Sequence, residues 1–125
     1  MIRYLIDANA VVYAMDVGHE VLTDRMATCA PGEIAVSTIS FAEVAYGTYV
    51  GKPPSPEVLE AFVAVVPILP FDEAAAREYA KLPFRRARFD RLLAAHALSI
   101  GATVVTANCA DFADVPGLLV EDWTV

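Results

Sequence analysis

Short apolar runs and longer stretches of helical character follow one another down this chain, with turn residues between them. The first run, Ile2-Arg3-Tyr4-Leu5-Ile6, predicts a strand over residues 2–6. Helices are expected over 9–15 and 20–28, and Pro31-Gly32 marks a turn before a strand over 33–36. A helix over 40–50 stops near Gly51, and Lys52-Pro53-Pro54-Ser55-Pro56 makes a rigid connector. A helix over 57–65 leads to a short strand over 66–69, whose flanking prolines suggest a sheet edge. Asp72 caps a helix reaching residue 82. A strongly apolar helix opens at Phe89 or Asp90 and runs to Ile100, with Gly101 as its stop. A strand over 103–106, one helical turn over 110–112 and a last strand over 118–122 complete the pattern. Strands alternating with helices imply an α/β fold, a central and mostly parallel sheet of four to five strands covered on both faces.

Composition narrows the class. A chain of 125 residues is expected to form a single domain over 1–125. At 57% hydrophobic and 20% charged it is not a disordered chain. The high apolar share also predicts a partner or self-association surface, beside what a fully buried sheet requires. A net charge of −7 argues against broad nonspecific duplex binding, which needs a basic footprint. Six of the nine Lys and Arg residues nevertheless crowd between Arg77 and Arg91. They are either a solvated face balancing nearby acids or a phosphate-gripping rim, with Arg85, Arg86, Arg88 and Arg91 as its members. Cys29 and Cys109 show no CxxC or Cys/His spacing and read as two reduced thiols of a cytoplasmic protein. No signal peptide is visible, because Asp7 interrupts the first apolar run. The long uncharged run over 92–110 contains His96, Ser99, Gly101 and Asn108, and reads as a buried helix and a strand, not a bilayer span.

Chemistry is carried by acids at strand–helix junctions. Asp7 leaves the first strand, Glu43 lies just beyond the second, Asp90 opens the apolar helix, and Asn108 and Asp111 follow the strand over 103–106. In open parallel sheets ligands bind outside the carboxyl ends of the strands. Carboxylates gathered there, without a thiol or histidine cluster, favour hard divalent cations such as Mg²⁺ or Mn²⁺. Each acid also has a plain structural reading. Asp7 can cap the following helix, with Asn9 two residues on to orient it. Glu43 completes Ser40-Phe41-Ala42-Glu43, a capping box in which Ser40 is the cap. Asp90 suits a helix dipole, and Asp111 can cap its own turn. His96 reads as a core or interface histidine and His19 as loop. Neither pairs with a Ser or Cys as a triad would.

Taken jointly, these segments resemble the PIN-domain ribonucleases, and within them the VapC toxins of bacterial toxin–antitoxin pairs. The resemblance is carried by Tyr4-Leu5-Ile6-Asp7-Ala8-Asn9, by Ser40-Phe41-Ala42-Glu43-Val44-Ala45-Tyr46-Gly47, by Asp90-Arg91-Leu92-Leu93-Ala94-Ala95-His96-Ala97-Leu98 and by Val105-Thr106-Ala107-Asn108 through Phe112. It implies a three-layer α/β/α PIN-like fold and an Mg²⁺- or Mn²⁺-dependent endoribonuclease. Asp7, Glu43, Asp90 and Asp111 become the catalytic and metal-binding acids, with Asn9, Asn108 and Ser40 supporting them. It also implies an RNA substrate, a homodimer, and a cognate antitoxin bound in a hetero-oligomer. Three departures stand out. Ala8 replaces a hydroxyl residue common after the first acid, Asn108 stands where many relatives carry the fourth acid, and the segment over 82–89 is short.

Two other enzyme classes fit less well. A haloacid-dehalogenase-type phosphatase needs a second Asp where Asn9 stands, and a receiver domain needs a strand-end lysine, whereas the only lysines are Lys52 and Lys81. The non-enzymatic alternative is a catalytically weak PIN-like module that acts through partner association.

Overall fold

The structure is a computed structural model and describes residues 1–83 and 88–125. Its strands are β1 (Tyr4–Ile6), β2 (Ile34–Ser37), β3 (Ile68–Leu69), β4 (Thr103–Val105) and β5 (Val120–Glu121). Its helices are α1 (Ala8–Ala14), α2 (Glu20–Ala27), α3 (Thr38–Tyr49), α4 (Pro56–Val63), α5 (Glu73–Tyr79) and α6 (Arg88–Ile100), with a 3-10 turn over Cys109–Phe112. Each element expected from the sequence is present.

The strands form one sheet in the order β3-β2-β1-β4-β5, and every pairing is parallel. The Pro-flanked β3 is an edge strand, as expected. From β1 the chain winds outward to β2 and β3, then crosses to β4 and β5 on the other side. The junction of β1 and β4 is therefore the topological switch point, where a crevice opens at the carboxyl ends of the strands.

Period-two alternation builds the two faces of the sheet. Ile6, Ile34, Val36 and Val105 point to one side and pack with Val11, Leu22, Val44 and Leu59 from α1 to α4. Leu5, Ala35 and Val104 point to the other and pack with Leu93, Ala94 and Ala97 of α6. The small alanines let α6 lie close to the sheet, and α5 packs on α6. At the far end of α6, Gly101 takes a φ of +67°, the left-handed turn that releases the chain into β4.

One expectation fails, and it matters for the site. The cap of α3 is Ser37, not Ser40. The last residue of β2 passes straight into the helix, and the Ser37 hydroxyl accepts from the Ile39 amide at 3.1 Å. Ser40 is a buried residue of the first helical turn. Glu43 thus lies too far along α3 to return to the cap, and its capping-box reading is removed.

Ser37 has a second task. Its hydroxyl lies 2.8 Å from His96 Nδ1, in the core between α3 and α6. His96 is 2% exposed and also meets the Phe71 ring edge-on, so it is the core histidine expected. Burial lowers its pKa, with the Asp72 charge opposing weakly. Ser37→Ala should remove the cap, worth about 1 kcal/mol, and strand the imidazole nitrogen, worth ~1–3 kcal/mol. Urea unfolding should therefore show a loss of roughly 2–4 kcal/mol. A change below about 0.5 kcal/mol, the scale of an ordinary surface substitution, would refute the shared role.

Candidate active site

Asp7 sits where β1 ends and α1 begins. One carboxylate oxygen caps α1 by accepting from the Ala10 amide at 2.9 Å. The Thr106 hydroxyl, at the end of β4, also bonds the carboxylate. That hydroxyl accepts from the Asn108 amide at 3.0 Å, which leaves its own proton for Asp7. Asp7 is therefore both the cap and a fixed acid on the crevice floor. Sequence reasoning missed Thr106. Its signal was a hydroxyl residue at the end of the strand next to β1, and it meets the need that Ala8 leaves open.

Asp7, Glu43, Asp90, Asn108 and Asp111 all line one crevice of about 180 Å³, together with Ala8, Asn9, Leu93, Thr106 and Phe112. Asp90 reaches it from the first turn of α6, whose N-terminus lies at the carboxyl end of the sheet. Glu43 reaches it from the second turn of α3, and Asp111 from the 3-10 turn after β4. Asn9 is exposed at the rim. Ser40 does not line the crevice.

The acids act on one another. Burial raises the pKa of Asp7, the bonds from Thr106 and Ala10 oppose it, and the charges of Asp111 and Asp122 raise it again. Glu43 is raised by burial, then by Asp90 and Asp7. Asp90 is raised by burial, then by Asp111 and Asp7, with Arg91 pulling the other way. Like charges so placed favour proton uptake or a cation.

The basic rim fares differently. Arg91 is 4% exposed, and its guanidinium donates to Asp114 at 2.5 Å and to the Asp111 carbonyl at 3.3 Å. It is a buried tie, not an open phosphate contact, because the side chain is turned inward and Nη2 makes both bonds. Arg88 is exposed at the start of α6. Arg85 and Arg86 lie outside the described residues. Arg77 pairs with Glu73 on the exposed face of α5, and Lys81, just past its end, pairs with Glu78. His19 stacks on Tyr13 and His96 is buried against Ser37, so neither lines the crevice.

The PIN domain family matches residues 4–118, which takes in the sheet from β1 to β4 and every acid of the crevice. This chain belongs to the PIN domain family. Among curated PIN domain relatives, the tRNA(fMet)-specific endonuclease VapC of Shigella flexneri is 29% identical, over 99% of this chain and 100% of that protein. Ribonuclease VapC2 of Rickettsia felis is 28% identical over 96% of this chain and 97% of its own. Among solved structures, VapBC2 of Rickettsia felis, bound to a promoter DNA fragment, matches with a TM-score of 0.87 at 28% identity. That match covers 98% of this chain and 99% of the other. DNA-bound VapBC of Salmonella typhimurium matches at 0.84 and 27% identity, with the same coverage. The three-layer α/β/α PIN fold expected from the sequence is thus the fold of this chain.

Divalent metal use is general among PIN domain nucleases. The donor set fits, since the crevice offers hard oxygen ligands that repel one another. Among the described residues no three His, Cys, Asp or Glu side chains converge as a preformed cage.

The raised pKa values give a stability prediction. For a group whose folded pKa lies above its unfolded value, the stabilising contribution is complete below the unfolded pKa, about 4 for Asp. It is lost as pH rises through the folded pKa. Asp90 should therefore cost the metal-free fold stability at neutral pH. In EDTA at pH 7, Asp90→Asn should melt above the parent chain, and the gap should close toward pH 4. A variant that melts lower at pH 7, with no pH dependence of the difference, would contradict this electrostatic account.

Proposed function

We propose that this chain is a metal-dependent endoribonuclease and the toxin of a toxin–antitoxin pair. The observation that carries the reading is the convergence of Asp7, Glu43, Asp90 and Asp111 on one small crevice at the strand switch point. The names of the VapC relatives support an RNA substrate. Asp7 and Asp90 would hold Mg²⁺ or Mn²⁺. Glu43 would bind the cation or orient the attacking water, and Asp111 and Asn108 would complete the shell. A cation bound there neutralises charge on the phosphate and acidifies the attacking water.

The chain's own groups complete the chemistry. Thr106 and the Ala10 amide hold Asp7 in one orientation, so it needs no reorganisation when substrate enters. Glu43, exposed at the mouth, is placed to accept a proton from incoming water. Water oxygen bonds to phosphorus, the bond to the 3′-oxygen breaks, and that oxygen takes up a proton. Neither His19 nor His96 is placed to serve attack by the RNA's own 2′-hydroxyl. The bare crevice repels RNA, so substrate binding should itself depend on the cation.

An apolar-walled cleft of about 480 Å³ adjoins the crevice, and Ala8, Asn9 and Glu43 line both. Val12 and Met15 of α1, Tyr46 of α3, and Pro53-Pro54 complete its walls. We assign this cleft to the antitoxin, with an Arg or Lys of the antitoxin reaching the acids and displacing the cation. The contact follows α1 and α3. The solved VapBC complexes support a hetero-oligomer. A homodimer, acting in the cytoplasm, is part of the same reading.

Purified protein should cleave RNA in Mg²⁺ and leave 5′-phosphate and 3′-hydroxyl ends. EDTA or Asp90→Asn should abolish cleavage, and a 2′-methoxy group at the cut site should not prevent it. A 2′,3′-cyclic phosphate product, or undiminished cleavage in EDTA, would overturn the reading. Tyr46 is 69% exposed on the cleft wall. Tyr46→Ala should weaken binding of the antitoxin from the adjacent reading frame by about tenfold or more, the usual scale for an aromatic anchor. Unchanged affinity in a titration would place the antitoxin elsewhere.

A further inference from the structure

The buried guanidinium beside Asp90 is the group that the proposed chemistry leaves unused. Arg91 follows Asp90 in the first turn of α6, yet its side chain runs inward and is 4% exposed. Burying a guanidinium is costly, and a well-packed apolar side chain is often as good or better for stability. Packing alone therefore gives no reason for an arginine here. Its contacts do. It donates to the Asp111 backbone carbonyl at 3.3 Å and to the Asp114 carboxylate at 2.5 Å. Asp111 and Asp114 flank the end of the 3-10 turn that carries one crevice acid, while Arg91 is covalently next to another.

That turn needs an external tie. It has four residues, and short 3-10 segments have weak intrinsic hydrogen bonding. Its side-chain anchor in the core is Phe112, 2% exposed. Phe112 fixes where the turn sits, but a second point is needed to fix how it is rotated, and rotation decides where the Asp111 carboxylate falls.

We propose that Arg91 is a positioning residue that sets the Asp111 carboxylate against Asp90, so that the two acids act as one cation site. The proposal rests on the reading that these acids hold a divalent cation. It carries a sign that separates it from a charge effect. The positive charge of Arg91 opposes a nearby cation, so loss of charge alone would tighten cation binding. Loss of positioning would weaken it.

The test is Mn²⁺ binding to the full chain, followed by paramagnetic resonance of the free ion, in a double-mutant cycle of Asp111→Asn and Arg91→Met. Asp111→Asn should weaken binding roughly tenfold in the parent chain, and Arg91→Met should do much the same alone, the scale seen when groups supporting a metal ligand are lost. Asp111→Asn should then add little in the Arg91→Met background. Arg91→Lys, which keeps the charge and one donor, should fall between. Tighter binding by Arg91→Met, or an Asp111→Asn effect that is absent or equal in both backgrounds, overturns the proposal. If circular dichroism shows Arg91→Met unfolded, Asp114→Ala takes its place in the cycle and removes the outer acceptor of the tie. RNA cleavage by the parent chain is recorded in parallel. Coupling without cleavage would sink the ribonuclease reading alone, whereas cleavage without coupling would sink Arg91 alone.

Discussion

Asp7 is held from two strands at once, and the rest of the site depends on that hold. Its carboxylate closes the end of β1 by capping α1, and it is tied to β4 through the Thr106 hydroxyl. β1 and β4 are the neighbours between which the sheet changes winding direction. The crevice opens there, at the carboxyl ends of the strands. The fold therefore supplies a concavity and a fixed acid in the same place. Glu43 and Asp90 arrive from α3 and α6, the helices joined across the core by Ser37 and His96. A polar contact deep in the protein thus bears on the spacing of two acids at its surface.

Repulsion among these acids is useful as well as costly. A site that disfavours its own charges is primed to take up a cation, and the energy released on neutralisation drives binding. The same field disfavours a polyanion at the metal-free crevice. With a net charge of −7, the chain has little general attraction for nucleic acid. A broad basic surface is therefore not what this chain offers a polyanion.

Much of this was legible in the sequence, for physical reasons that differ from element to element. The strands could be read because each is a short apolar run bounded by turn residues. α6 could be read because its apolar stretch is long and ends at Gly101. Asp7, Glu43, Asp90 and Asp111 could be picked out because they sit at junctions in a parallel α/β order. What could not be read depended on contacts between distant segments. The Ser40-x-x-Glu43 pattern satisfies the capping rule in sequence, but β2 enters α3 without a loop and Ser37 takes the position first. Thr106 looked like a strand terminus, because nothing local shows that β4 lies beside β1. Arg91 belonged, by composition, to a basic cluster. Only the helical phase, which turns it away from solvent toward Asp114, separates it from its neighbours.

The brevity of β1 has a consequence for how such a protein can vary. It has three residues, Tyr4 to Ile6, whose side chains divide between the two faces of the core, and the acid follows at the next position. There is no spacer between the part that packs and the acid that lines the crevice. Removing or adding one residue in this strand would exchange the two faces and carry the carboxylate to the wrong side of the sheet. Change there must come by substitution of one side chain for another. Gains and losses of length are left to the connections at the far ends of the helices, where neither the packing nor the chemistry is counted residue by residue.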